Sequence, residues 1–267
     1  MGWKALAAGS VLTGTAAGAA LVTLGGYRQG FRYGGDAPPF VLSITIAVVA
    51  CSVGAFLVHR QARVVGRRLL VIAVLLWIYL AATAVAVSQA GIGGQRDVVA
   101  WAAVLLQATG HILPVGLLEA TFLVALAHLS GVRVRRIIIG VTAYSAAYLL
   151  FELMTTEVGP YEGMAPLWRP DGVEAWSWLA ATPWMATVVV GPAIIWRSLA
   201  RTTRENRQQV LLLAMVSLVP VATIVFCLLS GLLAFGLELL PASVGEAGLA
   251  IAFGIPFIVC PPALVVG

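Results

Sequence analysis

Residues 69–90 read LLVIAVLLWIYLAATAVAVSQA, an uninterrupted run without one charged side chain. About 20 apolar residues in an α-helix span the hydrocarbon core of a bilayer, which is about 30 Å thick. Similar runs recur along the whole chain of 267 residues, of which 61% are hydrophobic and 10% are charged. Soluble domains carry about 25% charged residues, so this composition excludes a water-soluble fold and predicts an all-α, polytopic membrane helical bundle.

Eight apolar runs, separated by charged residues, are predicted to be transmembrane helices. Their approximate bounds are 5–24, 39–58, 69–90, 98–129, 137–155, 177–196, 209–234 and 247–266. No internal repeat, low-complexity tail or Gly/Ser linker separates a second unit. Residues 1–267 are therefore predicted to form a single multi-span membrane domain with no soluble domain.

The basic residues predict the orientation of these helices. Twelve of the 16 Lys and Arg residues fall at the N-terminus or in alternate loops, namely Lys4, Arg60, Arg63, Arg67, Arg68, Arg133, Arg135, Arg136, Arg197, Arg201, Arg204 and Arg207. By the positive-inside rule these loops are cytoplasmic, which places both termini in the cytoplasm. The net charge of +5 thus indicates topology and a lipid bilayer, and we expect no nucleic-acid partner.

The composition also indicates a source. Lys4 is the only lysine, and the chain is rich in Ala, Gly, Val and Leu. This bias is typical of a GC-rich bacterial genome. We therefore expect a multi-pass protein of the bacterial cytoplasmic (inner) membrane.

Segment 5–24 has two interpretations. It is rich in Ala, Gly and Thr and follows Lys4, a pattern shared by a retained helix and by a cleaved signal peptide, whose removal would leave seven spans. Within it, Gly14-Thr15-Ala16-Ala17-Gly18 has the small-xxx-small spacing that lets membrane helices approach closely. This spacing would suit a homodimer contact.

Segment 98–129 is too long for one straight span. As a single helix it would measure about 48 Å at ~1.5 Å per residue. We therefore expect it to tilt, to protrude, or to break near Gly110 and Pro114.

Ionisable residues within the predicted spans form the first candidate site. Glu119 lies near the middle of the fourth span, and His111, eight residues earlier, is about 80° away around the helix. A charge in hydrocarbon costs at least about 2.5–3.5 kcal/mol, so such residues usually face the bundle interior. The pair would relay protons or bind a polar ligand; alternatively, a protonated Glu119 hydrogen-bonds a neighbouring helix. Glu152, near the outer end of the fifth span, completes this group.

The predicted outer loop, residues 156–176, forms the second candidate site. Aromatic residues occur in and just after this loop, namely Tyr161, Trp168, Trp176 and Trp178. Together with nearby prolines they would offer a rigid surface to a peptide or lipid ligand. The same residues also fit an ordinary aromatic belt at the membrane interface.

No catalytic signature is found, since H-E-x-x-H, a Walker phosphate loop, G-x-S-x-G and an aspartate-rich diphosphate motif are all absent. At least one pair of histidines is predicted to be too far apart to share an ion. The cysteines, Cys51, Cys227 and Cys260, lie in apolar runs without CxxC spacing. We therefore expect no metal and no cofactor, and no residue is assigned a catalytic role.

Two stretches near the C-terminus carry a family resemblance. Residues 201–209 read RTTRENRQQ and run into the apolar segment that begins at Val210, and residues 256–266 read PFIVCPPALVV. The first resembles the Glu-x-Arg-Gln-Gln beginning of the penultimate helix in bacterial multi-pass sensor histidine kinases, and the second is similar to their last span. The resemblance covers about 60 residues and includes no catalytic position of that family.

The resemblance implies a sensory and transmission domain of a two-component signalling protein. Such a domain binds a ligand at the outer loop or inside the bundle and passes a helix displacement to the cytoplasm. No histidine here is followed by an acidic residue, and Asn206 is the only asparagine, so the phosphoacceptor and ATP site are missing. We expect a truncated sensor region, with kinase activity in a cytoplasmic module beyond residue 267 that acts on a response regulator.

Two other functions fit the same residues. In a small transporter or accessory permease, Glu119 and His111 would couple proton movement to transport. In a small intramembrane enzyme, such as a cyclase, Glu119 would act as a general acid in an apolar cavity.

Overall fold

The computed structural model describes residues 14, 38–60, 62–90, 109, 113–131, 133–155, 188–233, 237, 239, 241 and 254–265. Helices make up the regular structure of these residues and no strand occurs among them, so the all-α prediction is confirmed. Seven helices lie in this part of the chain: α1 (Pro38–His59), α2 (Arg63–Ala90), α3 (Leu113–Ser130), α4 (Arg135–Thr155), α5 (Val188–Leu199), α6 (Arg207–Gly231) and α7 (Gly254–Val265).

In the described part of the chain, three helices are long and apolar enough to cross a membrane. The qualifying stretches are Arg63–Ala82 in α2, Leu113–Ser130 in α3 and Arg207–Ser230 in α6. Helices α5 and α7, and the stretch Ile44–His59 of α1, are apolar but shorter. Length and composition thus support a membrane protein, while the number of spans and the side of each terminus remain predictions.

Helices α1 and α2 form a tight hairpin around two glycines. A Cβ atom placed on Gly66 would lie 2.6 Å from the carbonyl oxygen of Gly54, and one placed on Gly54 would lie 2.9 Å from the carbonyl oxygen of Gly66. The two helix backbones therefore touch where neither has a side chain. This close approach is the usual source of helix association in membranes, where dispersion contacts replace the hydrophobic effect.

Helix α2 is central to the packing of the described residues. It contacts α1 and α3, and α3 in turn contacts α4 and α6. The fully buried side chains of α2 include Leu69, Leu70, Ile72 and Leu80. The run that predicted a membrane helix from sequence thus also supplies much of the core.

Helix α6 presents an apolar stripe on its outside. Leu211, Met215 and Leu218 are 43%, 60% and 43% exposed, and their spacing of four and three residues places them on one face. In water such a stripe would face the core of a protein. Its outward direction is the arrangement expected of a helix that contacts lipid.

Three helices begin at arginines, earlier than predicted. Helices α2, α4 and α6 start at Arg63, Arg135 and Arg207, whereas the apolar runs start at 69, 137 and 209. The apolar run marks only the part of a helix in hydrocarbon, and the helix continues into the interface, where arginine side chains reach water. A cation at a helix N-terminus is unfavourable by about 0.3–1 kcal/mol, so these arginines fit a topological role better than a helix-stabilising one.

The predicted fourth span is described from Leu113 onward. Helix α3 begins there, with Pro114 in its first turn, where proline needs no intrahelical N–H bond. Residues 110–112 lie outside the described part of the chain, so the break near Gly110 and Pro114 remains a prediction. At the other end Gly131 adopts the left-handed conformation, with φ 66°, and its N–H donates to the carbonyl of Ala127 at 3.1 Å, which ends the helix.

Gly14 is the described residue of the predicted first span. It is helical, and a Cβ atom placed on it would lie 2.6 to 2.8 Å from three atoms of the Trp77 indole. One glycine of the small-xxx-small pattern therefore packs against α2 of the same chain. A homodimer remains a prediction, and Gly18 lies outside the described residues.

Candidate functional site

Glu119 is buried in the middle of α3, with 9% of its surface exposed. Its side chain points to α5: a Cβ atom placed on Gly191 would lie 3.5 Å from Glu119 Cγ and 3.7 Å from Glu119 Oε1. Because glycine has no side chain, the carboxyl group fits directly over the α5 backbone. Glu119 thus lies between helices and away from lipid, as the cost of a charge in hydrocarbon requires.

A second buried polar group lies one turn away along α3. Ser145 of α4 is 2% exposed, and a Cβ atom placed on Gly116 would lie 2.6 Å from its Oγ atom. Within the described residues Ser145 Oγ makes no hydrogen bond. Gly116 and Glu119 are three residues apart, so both are on neighbouring parts of one helix face. The Ser145 hydroxyl group can therefore donate to, and accept from, a polar group that enters this position.

Helix α3 thus holds a buried carboxyl group, on Glu119, one turn from its contact with a buried hydroxyl group, on Ser145. The carboxyl group can hold or release a proton, and the hydroxyl group can both donate and accept a hydrogen bond. Thr121, two residues after Glu119 and therefore on another face of α3, is fully buried, and its Oγ1 donates to the carbonyl of Leu117 at 2.6 Å. Chemically, the arrangement suits proton exchange or the binding of a small polar group.

The beginning of α6 is attached to the end of α3. Asn206, immediately before α6, donates from Nδ2 to the carbonyl of Leu129 at 2.8 Å, and makes no side-chain bond to its own helix. Leu129 is one of the last residues of α3, whose terminal carbonyls lack intrahelical partners. The Asn206 side chain thus joins two helices that are 77 residues apart in sequence.

Helix α6 is also attached to α7, at its proline. Pro220 has no N–H group, so the carbonyl of Val216, four residues earlier, loses its usual intrahelical donor. Cys260 of α7 supplies a replacement, because its thiol donates to this same carbonyl at 3.9 Å. Neighbouring helices are known to satisfy the backbone groups that prolines leave in membrane helices.

Of the predicted site residues, the structure places the side chain of Glu119 alone. The backbone of Glu152 lies in the last turn of α4, and its side chain is outside the described part of the structure. The remaining predicted site residues also lie outside the described part of the chain, namely His111, Tyr161, Trp168, Trp176 and Trp178. Among the described side chains, no three His, Cys, Asp or Glu residues form a metal-binding group.

Sequence reasoning missed the neighbours of Glu119. Gly116, Ser145 and Gly191 are small residues in apolar helices, and nothing in the spacing of α4 or α5 connects them to α3. One weak signal was available, since Gly116 precedes Glu119 by three residues and marks the same face. The Gly191 contact depends on how α5 is rotated about its axis, which local periodicity does not specify.

Comparisons with protein-family models, with curated proteins and with solved structures return no match for this chain. The fold and the site nevertheless indicate a broad class of protein. The described part of the chain is all-α, with helices suited to a membrane, and it buries a carboxyl group between one of these, α3, and the shorter helix α5.

Proposed function

We propose that this chain is the multi-span sensory and transmission domain of a bacterial two-component signalling protein in the cytoplasmic membrane. One observation supports the proposal above all: α6 is hydrogen-bonded at its beginning to α3, which holds Glu119, and at its proline to α7. The penultimate helix therefore connects the buried polar site to the last described helix. In the family that the chain resembles, the last span precedes the cytoplasmic kinase.

The physical basis is a shift between two helix arrangements. A ligand or proton at the Glu119 site changes the arrangement only if it binds one of the two more tightly. Helix displacements in such transitions are typically about 1–2 Å. A shift of α3 would move Asn206 with it, and the missing hydrogen bond at Pro220 makes α6 easier to bend. The Cys260 contact then transfers the movement to α7.

The charge pattern gives independent support. The connection between α3 and α4 and that between α5 and α6 were predicted to lie on the same, cytoplasmic side. The bond from Asn206 to Leu129 brings these two connections together at one end of the bundle. The output of the signal would then be on the side where a kinase module is expected.

The transmission step predicts that a change at Glu119 moves α7. We would place spin labels on cysteines at Ala62 and Val265, both exposed, in a full-length chain whose Cys51 and Cys227 are replaced by alanine. Glu119→Ala empties the space over Gly191 and lets α3 and α5 repack. We expect double electron–electron resonance in nanodiscs to show that the mean distance between the two labels differs from that of the unmutated protein by about 1–2 Å or more.

The matched control is Met215→Ala, which shortens a side chain on the outside of α6 that is 60% exposed. This variant is expected to leave the distance unchanged. Adding Asn206→Ala to Glu119→Ala should reduce the shift by half or more, because the bond from α6 to α3 is then missing. The proposal that Glu119 transmits a movement to α7 is wrong if the folded Glu119→Ala protein gives the same distance distribution as the Met215→Ala protein.

The kinase partnership is tested separately at the level of the gene. We would sequence the coding region past codon 267 in the source genome and examine the neighbouring genes. An open frame that continues into a histidine followed by an acidic residue and an ATP-binding domain supports the two-component assignment, as does an adjacent response regulator. A stop codon without such a neighbour removes its main support.

Proton-coupled transport is the second candidate function. The observation that favours it is the burial of Glu119 against Gly191, beside Pro192, where α5 carries a residue typical of interrupted membrane helices. In this case Glu119→Gln, which keeps the shape of the side chain but cannot ionise, abolishes proton-linked uptake into vesicles while α7 stays in place.

A further inference from the structure

A dense basic patch lies at the end of the bundle where α3 meets α6. Asn206 holds the α5–α6 connection beside the α3–α4 connection through its 2.8 Å hydrogen bond to Leu129. Residues 131–136 and 197–209 contain one carboxylate, on Glu205, and seven arginines: Arg133, Arg135, Arg136, Arg197, Arg201, Arg204 and Arg207. We call these seven residues the arginine patch.

The arginine patch is available to a ligand. All seven side chains are exposed. A guanidinium group presents its N–H donors in a planar fork that matches the oxygens of a phosphate group. Each of these guanidinium groups can therefore bind a phosphate group as well as add to a positive surface potential.

Exposed apolar side chains continue directly from the patch. Ile139 lies four residues after Arg135 on α4 and is 57% exposed, and Leu211 lies four residues after Arg207 on α6 and is 43% exposed. Residues four apart share one face of a helix. On both helices an exposed guanidinium group is thus followed, one turn toward the middle of the helix, by an exposed hydrocarbon side chain.

We propose that the arginine patch and these apolar residues form a binding site for an anionic phospholipid. The phosphate of the headgroup contacts the arginines, and the acyl chains lie along Ile139, Leu211 and the outer stripe of α6. Basic pockets between membrane helices on the cytoplasmic side are known to hold anionic headgroups. The proposal uses neither Glu119 nor α7, and it shares with the proposed transmission only the hydrogen bond from Asn206 to Leu129.

The test compares two lipids on the purified full-length chain. We would titrate phosphatidylglycerol, which is anionic, and phosphatidylcholine, which is neutral overall, and count bound lipids by native mass spectrometry. Arg135→Gln with Arg204→Gln removes two arginines of the patch. At about fivefold per arginine, this pair is expected to weaken phosphatidylglycerol binding by roughly 25-fold and to leave phosphatidylcholine binding unchanged.

Two controls separate a defined site from general attraction. Arg63→Gln with Arg67→Gln removes the same charge from exposed positions at the beginning of α2 and should weaken binding less than twofold. Asn206→Ala keeps every charge but releases the two connections, and it should weaken binding several-fold. If Asn206→Ala does not fold, the arginine pairs decide the question alone, because their side chains are exposed.

Three results would overturn the proposal. Equal losses in the two arginine pairs would mean general surface electrostatics, and full affinity in a folded Asn206→Ala protein would mean that the pairing of the connections is irrelevant. Displacement of phosphatidylglycerol by millimolar inorganic phosphate would identify a soluble anion as the ligand. Retention of the lipid in phosphate buffer, with loss only in the patch variants, supports the phospholipid site.

Discussion

Gly66→Ala is expected to destabilise the protein strongly, although alanine is the better helix former. The new methyl group would lie 2.6 Å from the carbonyl oxygen of Gly54 and 2.8 Å from the backbone nitrogen of Val58. Backbone atoms cannot rotate away, so α1 and α2 have to separate. Overpacking of this kind costs about 1–3 kcal/mol, and the two backbone contacts place Gly66→Ala near the upper value.

Gly140→Ala is the matched control, because among the described residues no atom beyond the local backbone of α4 lies within 4 Å of a Cβ atom at that position. At this position the substitution adds only the higher helix propensity of alanine, which should raise the free energy of unfolding by up to about 1 kcal/mol. Gly54→Ala, whose methyl group would lie 2.9 Å from the Gly66 carbonyl oxygen, should fall between the two. Unfolding titrations with sodium dodecyl sulfate in mixed micelles measure the free energy of unfolding of each variant. A Gly66→Ala protein as stable as Gly140→Ala would show that the hairpin is not packed in this way.

The glycines explain how the helices can pack without a hydrophobic driving force. In a bilayer, apolar side chains gain little by leaving lipid, so helices associate where their backbones come close enough for dispersion contacts. Gly54 with Gly66, and Gly14 against Trp77, are such places. Gly116 and Gly191 instead leave room for polar side chains, those of Ser145 and Glu119. Small residues thus position both the hairpin and the candidate site.

The sequence predicted the all-α character of the described residues and the burial of Glu119, because both follow from the cost of polar groups in hydrocarbon. It did not predict the helix starts at Arg63, Arg135 and Arg207, because a helix continues beyond the hydrocarbon core that hydrophobicity detects. The contact of Glu119 with Gly191 was also out of reach, because it depends on how two distant helices are rotated.

Asn206 is a second residue whose contact the sequence does not reveal. The stretch RTTRENRQQ was recognised as a pattern, in which Asn206 held an unspecified position between Glu205 and Arg207. In the structure this residue makes a side-chain hydrogen bond that ties the beginning of α6 to α3. The sequence pattern identifies the residues next to Asn206. It does not identify the partner, the carbonyl of Leu129, because that residue is 77 positions away and only the packing of α3 against α6 brings the two together.

The contact between Gly14 and Trp77 predicts the second large effect. Trp77 is 8% exposed, and replacing it by alanine should lower the free energy of unfolding by about 3–5 kcal/mol, the range for buried aromatic residues. Gly14→Val should lower it by about 1–3 kcal/mol, because the new side chain meets the rigid indole at less than 3 Å. In the double variant the space left by Trp77 accommodates the valine. We therefore expect a coupling energy of about 0.5–3 kcal/mol between the two positions.

This double-mutant cycle also decides between the two interpretations of residues 5–24. If the segment is a retained helix, Gly14→Val destabilises the purified protein, and the effect becomes much smaller in the Trp77→Ala background. If the segment is a signal peptide, the mature protein lacks position 14, so Gly14→Val leaves the free energy of unfolding unchanged while Trp77→Ala still lowers it. The intact mass of the purified chain, measured on the same samples, distinguishes a cleaved segment from a retained segment that does not pack against α2. The Trp77 indole is therefore a direct probe of whether the first predicted span belongs to the folded bundle.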